Sequence, residues 1–490
     1  MLPVLKKITY GEDQCLLTTV ELEKYCASAL SGAASLGLKG TIMGFLWEVG
    51  PIWVYLFWIL IFALQMLVAE MHRRWTWTAF ALWTVGGVLA IPYVIIHGVP
   101  MVGWFPFGKF VIMLATATMT AFLLHWGKRN PLKARRYAMW FGVALWIGLA
   151  VNIMEANIRD LTIYFEADSY RACATNFQCL MDIDSSRSIS MIEGLPETRG
   201  ITAASGSVAW YQAAADAFKA SGVGIDPATG FRTIGGYWNL LSAAAGVLNI
   251  ITITGLGKIF ISSAKKGKVQ GLIWADMAWP WIIAYDLWNH SFLYNSLADY
   301  TWYCTLALLL ACTVPAFTWA KGQWIWFRCF TLMFWIAANN ILPELLVRPS
   351  IMTNYATMNP MANIVCAWLA LISNVALFIY WLYKMTKHHR NPWTNCLFFE
   401  LGAFRKVVKL YADDKDKYFL TDFIPETPTQ LGFEPKSTTP PVDGYVGWVP
   451  WWKQDKRYPK PRTPLSADPK LVEKGIKSDP RWDVTKSKEA

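Results

Sequence analysis

Nine apolar runs, each about the length of a membrane-crossing helix, constrain this chain more than any other feature of its sequence. They occupy residues 46–69, 75–97, 105–126, 137–156, 237–261, 271–295, 300–319, 324–343 and 361–383. A helical crossing needs about 20 apolar residues. Backbone placed in hydrocarbon must satisfy its own hydrogen bonds, so runs of this length fold as helices and not as open sheet. The expected fold class is therefore all-α: a polytopic transmembrane helical bundle of about nine spans. Composition agrees, with only 16% charged residues against about 25% in a soluble domain. Many of the 28 tryptophans sit at the ends of the runs. Amphipathic rings favour the headgroup region there, so most of them anchor and pack.

The formal charge is +11, and its distribution decides what it means. The clusters His72-Arg73-Arg74, Lys128-Arg129 with Lys133, Arg135 and Arg136, Lys265-Lys266-Lys268, and Lys384, Lys387 and Arg390 fall after the first, third, fifth and ninth runs. Lys321 and Arg328 add weakly after the seventh. One rule satisfies every loop: basic side inside, N-terminus outside, C-terminus inside. The partner implied by the charge is the lipid bilayer of a cell (inner) membrane, not nucleic acid. No cleavable leader is expected, because polar residues follow Met1–Lys7. Cysteine usage points the same way. Cys15, Cys26, Cys173 and Cys179 all fall on the expected outer side, where disulfides persist, and Cys173–Cys179 and Cys15–Cys26 are close enough to pair. Cys304, Cys312, Cys329 and Cys366 lie within the runs as small apolar packing residues.

Three domains follow. Residues 1–40 form an N-terminal segment, amphipathic over about 16–38. Residues 41–385 form the bundle, with an ordered outer loop at 157–236 stapled by Cys173–Cys179. Residues 386–490 form a Pro-rich inner tail. Within the tail, 397–411 has the pattern of a basic helix lying in the membrane interface. The aromatic island 444–452 either folds back on the inner face or docks a partner, so a membrane-complex partner is expected through 440–490.

The sixth run carries the most informative polar groups. Asp286, Asn289 and His290 lie at helical spacing i, i+3 and i+4, so they cluster on one side. Starting from Gly271 on the inner side, Asp286 lies about 22 Å along the helix, past the midplane. Ionisable groups at that depth are expensive and mark functional sites. Tyr285, Tyr294 and Asn295 add hydrogen-bonding groups. Asp286 and His290 one turn apart suit a proton relay; equally, the group suits a structural network that glues helices together. Asp276, near the inner end, is expected to meet headgroups or Lys268.

A weak parallel duplication relates 121–155 to 316–344. It pairs Asn152 and Glu155 with Asn340 and Glu344, near the outer ends of their helices. These four form a candidate cation-attracting outer vestibule. The alternative is ordinary helix-end pairing of Glu155 with Arg159 and Glu344 with Arg348. Lys109 and Glu48 are lesser candidates, able to reach the outer interface.

No GxSxG, HExxH or P-loop pattern is present, and no Cys/His spacing suits zinc. His97, His125, His290, His388 and His389 are scattered. A haem held by His97 and His290 would require both to face one gap. No catalytic residue, metal ligand or cofactor is therefore assigned.

The sequences Ala284-Tyr285-Asp286-Leu287-Trp288-Asn289, Tyr294-Asn295 and Ala311-Cys312-Thr313-Val314-Pro315-Ala316-Phe317 resemble a bacterial integral-membrane family known as domain of unknown function 5692. The resemblance extends over about 41–385 and not over the tail. It implies a polytopic inner-membrane protein and carries no activity, cofactor or site residue. Two functional expectations remain. One is a transporter or channel for a small ion or solute, using the intramembrane Asp/His/Asn site. The other is a non-catalytic structural subunit of a larger membrane complex. A membrane-embedded enzyme acting on lipid or quinone ranks third.

Overall fold

The computed structural model describes residues 42–48, 52–188, 190–262, 269–343, 354–387, 390–412 and 420. The segment 16–38, the Cys15–Cys26 pair, Lys265–Lys268, Glu344, Arg348 and the island 444–452 lie outside the described residues. Fifteen helices occur among those described. In chain order they begin with α1 (Ile42–Leu46), α2 (Ile52–Arg74), α3 (Thr76–Val102), α4 (Trp104–Arg129), α5 (Pro131–Arg136) and α6 (Ala138–Phe165). The intermediate part holds α7 (Ala167–Ala174), α8 (Phe177–Ser185) and α9 (Val208–Ser221). The remainder are α10 (Tyr237–Ile251), α11 (Trp279–Ser296), α12 (Ala298–Phe317), α13 (Trp324–Ile341), α14 (Pro360–Lys387) and α15 (Gly402–Tyr411).

The fold is an all-α bundle, but nine independent crossings do not follow from it. Six helices are long and apolar enough to cross a bilayer: α2, α3, α4, α6, α12 and α14. Their outward faces carry exposed aliphatic residues such as Leu60, Leu67 and Leu89. Lipid tails satisfy such residues, and no driving force buries them. The other three, α10, α11 and α13, have 15, 18 and 18 residues. α11 and α13 are buried along most of their length, so neighbouring helices replace lipid around them and their sequences can carry polar groups.

Two predicted boundaries shift for a common reason. α10 stops at Ile251, ten residues before the end of its apolar run, and α11 starts at Trp279, eight residues after the start of its own. The described residues between them, 252–262 and 269–278, form a mostly buried plug. A short hairpin pairs β3 (Phe260–Ile261) with β4 (Leu272–Ile273), setting Phe260 opposite Ile273. Apolar content alone does not separate a span from irregular backbone enclosed by protein, which bilayer proteins tolerate. The Gly255 N–H donates to the Pro392 carbonyl at 2.8 Å, and the Gly257 N–H to the Trp393 carbonyl at 2.9 Å. These bonds fasten the plug to the chain that follows α14.

Asp276 is the centre of that join, and the expected headgroup contact is overturned. Its carboxylate is buried and accepts from the Thr254 hydroxyl at 2.5 Å and the Leu397 and Phe398 N–H groups at 2.9 and 2.8 Å. α15 likewise does not lay its apolar face on lipid. Phe404, Val407, Val408 and Tyr411 are buried against Phe260 and Ile273 of the plug, while Arg405, Lys406 and Lys409 remain exposed.

At the opposite end, the long loop begins at Glu166, because α6 runs nine residues beyond its predicted limit of 156. The cap packs α7, α8 and α9 beside a hairpin of β1 (Gly224–Ile225) and β2 (Arg232–Thr233). The expected Cys173–Cys179 disulfide joins α7 to α8. Asp184 organises the cap interior, accepting from the Met191 N–H at 2.6 Å, the Ser190 hydroxyl at 2.7 Å and the Tyr211 hydroxyl at 3.0 Å. Burial, with the Asp184 charge beside it, pushes the Tyr211 phenol well above its ordinary pKa, so it stays a donor. Arg232 docks the cap on the bundle. It is buried between Glu197, at 2.7 Å, and both oxygens of Asp299.

Candidate functional site

A cavity of about 160 Å³ lies between the cap and the bundle. α13 defines its depth. Arg328, Leu332, Trp335, Ile336 and Asn339 all line it. Their spacing of four, three, one and three residues keeps them on one helical face over about 16 Å. α6 contributes Asn152, Glu155 and Arg159 at the cap end, again one helical face. α11 adds Asn289 and Phe292, α12 adds Tyr303 and Leu308, and the cap closes over with Arg187 and Phe231. The middle of the cavity is apolar and its ends are basic.

Arg328 forms the floor. The sequence places it one turn inside its apolar run, yet the loop-charge rule counts it with the inner basic loops. The structure corrects this: Arg328 is 3% exposed and enclosed by the bundle. Its Nε donates to the Tyr285 hydroxyl at 3.0 Å, and its guanidinium lies 5.3 Å over the Tyr285 ring. Nη1 has no hydrogen-bond partner among the described residues. Asp286 feels its charge, but no carboxylate is within ion-pair distance of it among those residues. An incompletely paired buried cation is costly, which is why such groups usually mark ligand sites.

Beside Arg328 lies a cluster of aromatic rings. Tyr285 packs on Trp324 with centroids 4.9 Å apart, and Trp281 stands 5.4 Å from each of them. The indole N–H groups are fixed, Trp281 to the Asn249 carbonyl at 3.2 Å and Trp324 to the Thr313 hydroxyl at 3.2 Å.

The expected triad is dispersed. Asp286 and His290 share the side of α11 that faces α12, as their spacing requires, but each bonds its own threonine. Asp286 accepts from the Thr313 hydroxyl at 2.7 Å, and His290 Nδ1 shares a hydrogen bond with Thr305 at 2.8 Å. Those threonines are eight residues apart on α12, about 12 Å of helix, and no hydrogen bond joins Asp286 to His290. Thr305 opens a π-helical stretch, Thr305–Leu310, a distortion often found at functional sites. Asn289 alone of the three enters the cavity, and its Oδ1 has no partner among the described residues. Asn295 accepts from Asn363 at 2.9 Å, away from this group. Tyr294 donates to the Leu46 carbonyl at 2.9 Å. His97 is exposed beside Tyr93, 4.6 Å between ring centroids, so it does not share a gap with His290.

Of the four expected vestibule residues, Glu344 lies outside the described residues, and the other three part ways. Glu155 and Asn152 line the cavity, but Glu155 pairs with Lys109 at 2.7 Å, not with Arg159. Arg159 pairs with Asp226 of the cap. Arg187 donates to the Met101 and Ala228 carbonyls at 3.2 and 2.6 Å. Among the described residues, four basic side chains against one carboxylate leave the lining positive. Asn340 is turned aside, donating to the Pro106 and Ile336 carbonyls at 3.2 and 2.8 Å, and its neighbour Asn339 lines the cavity instead. Glu48, the other lesser candidate, pairs with Arg199 of the cap at 2.9 Å.

Sequence reasoning missed Arg328, Arg159 and Arg187 as cavity residues. A signal for the first was available: Arg328 begins the stripe 328–332–335–336–339 and is the one charged residue in that helix. Arg187 carries no such signal, because its position depends on how the cap folds.

Six crossing-length apolar helices around a buried polar core define a polytopic helical membrane protein. The chain belongs to a family of unknown function, DUF5692, whose sequence profile matches residues 48–188 and 204–410. The match takes in the bundle, most of the cap and α15, and so reaches past the limit of 385 expected from the resemblance. No curated protein and no solved structure matches the chain.

Proposed function

We propose that the protein binds a small amphipathic anion in the cavity and carries it across the membrane, with Arg328 as the charge that selects it. The observation behind this reading is the buried Arg328 guanidinium at the floor of an apolar-walled cavity, whose Nη1 has no hydrogen-bond partner among the described residues. A buried cation favours an anionic group, and Phe292, Leu332 and Trp335 favour an apolar body. The ring cluster Trp281–Tyr285–Trp324 acts as the closed gate on the far side. Passage then requires these rings to move, as in alternating access.

The cap faces outside and α15 faces inside in this proposal. The basic residues Arg73, Arg74, Lys128, Arg129 and Lys321 favour the inner side, and the Cys173–Cys179 disulfide favours an oxidising outer side. Trypsin is expected to cleave at Arg405–Lys409 in inside-out vesicles only. Cleavage in right-side-out vesicles reverses the orientation.

A suitable transport probe is octanesulfonate, which stays charged at all working pH values and crosses bare lipid poorly. Proteoliposomes are expected to accumulate it, and Arg328→Gln to lower the initial rate by about tenfold or more, since a charge-assisted bond contributes about 1.5–3 kcal/mol. Equal uptake by wild type and Arg328→Gln contradicts the proposal, as does the absence of protein-dependent uptake for sulfonates, carboxylates and phosphonates alike.

A further inference from the structure

α6 presents a second polar face, turned away from the cavity, where Asn157 and Asp160 follow Ile153 at i+4 and i+7. Asp160 is fully buried. One oxygen, Oδ1, accepts from Asn239 Nδ2 at 2.9 Å and from the Ser296 hydroxyl at 3.4 Å. The other, Oδ2, has no partner among the described residues. Ser242 and Asn295 also adjoin this carboxylate, yet the Ser242 Oγ and Asn295 Nδ2 atoms form no hydrogen bond of ordinary geometry. Both side chains are buried. No lysine, arginine or histidine among the described residues pairs with Asp160, and its neighbour Arg159 is committed to Asp226.

We propose that Asp160 is the anionic ligand of a sodium site formed with Ser242, Ser296 and Asn295, where α6, α10 and α11 meet beneath the cap. The chemistry is that of a hard cation held by oxygen. One carboxylate among neutral hydroxyl and amide groups balances a single positive charge, and a divalent ion would call for further carboxylates. The Asp160 and Ser242 oxygens that lack a hydrogen-bond partner among the described residues can serve as ligands to such an ion. Asn295 already bonds Asn363 through its amide. Reversing both amides keeps that bond and turns the Asn295 carbonyl oxygen towards Asp160, and the two assignments are equivalent in shape. α11 carries Asn295 and Ser296 at its end and Asn289 two turns earlier, so one helix contacts both this site and the cavity.

The site does not depend on the transport reading, and its test needs no anion. Purified full-length protein is unfolded thermally in detergent at fixed ionic strength, replacing choline chloride with sodium chloride up to about 100 mM. A ligand that binds only the folded state raises the melting temperature with the logarithm of its concentration. The expected result is a sodium-dependent rise that potassium does not reproduce. Asp160→Asn is expected to abolish it, and Ser242→Ala to shift it to at least tenfold higher sodium. Should Asp160→Asn fail to fold, the Ser242→Ala shift decides. No sodium-specific rise in the wild type overturns the proposal, as does an unchanged rise in Ser242→Ala. A stabilisation that follows pH equally in sodium and choline also overturns it, because Asp160 then holds a proton in place of the ion.

Discussion

Buried charged groups in this protein differ in what faces them. Asp184 and Asp276 accept from backbone N–H groups that have no other partner, so each fixes a loop. Asp299 neutralises Arg232 at the cap joint. Arg328 and Asp160 each keep a buried polar atom without a partner among the described residues, as do Asp286 and Glu197. Such an atom forfeits a hydrogen bond that water would supply to the unfolded chain. Removing Asp276 strands three donors at once. Asp276→Ala is therefore expected to destabilise the end of the bundle that carries α15 by about 3 kcal/mol or more. In detergent, trypsin should cut the variant at Arg405–Lys409 well before it cuts wild type, and an unchanged rate removes the anchoring role. The partners of Asp276 were not legible in the sequence, because Leu397 and Phe398 lie more than a hundred residues away. Asp286, Asn289 and His290 were legible as polar groups within an apolar run. Their separate partners were not, because Thr305 and Thr313 look like any threonine in a span.

At the scale of elements, helices were readable wherever lipid contact keeps a sequence apolar, and boundaries failed where protein contact replaces lipid. α6 was ended at 156 because Asn157, Arg159 and Asp160 break its apolar run. The helix continues because those residues meet the cap and α10 instead of solvent. The same substitution of protein for lipid conceals the plug between α10 and α11. Close packing supports it: a β-carbon on Gly142 would stand 2.1 Å from the Leu256 carbonyl oxygen, a backbone atom with little room to yield. Gly142→Ala is expected to destabilise by about 1–3 kcal/mol, the usual cost of overpacking. Gly148→Ala is the control on the same helix. Its nearest neighbour is a Thr116 methyl at 3.4 Å, so helix propensity should dominate and stability should hold or rise by up to about 1 kcal/mol. Thermal unfolding in detergent distinguishes the two, and equal effects would mean that the plug does not press on α6.

For the whole molecule, the sequence identified a membrane bundle and an ordered cap with its disulfide, because both follow from local patterns of hydropathy, charge and cysteine. It did not identify the cavity, whose lining comes from α4, α6, α11, α12, α13 and the cap. The sign of that cavity depends on pairing: among the described residues Lys109 pairs with Glu155 and Arg159 with Asp226, while Arg187 and, at the floor, Arg328 form no ion pair. An anion-selective cavity closed on one side by aromatic rings is the central claim. Its most direct test is a structure determined with a bromoalkanesulfonate, locating the bromine by anomalous scattering and the sulfonate by its density. The account predicts the sulfonate within hydrogen-bond distance of Arg328 Nη1, with the alkyl chain lying against Phe292 and Leu332. An empty cavity at saturating ligand, with Arg328 bonded instead to Asp286, would contradict it.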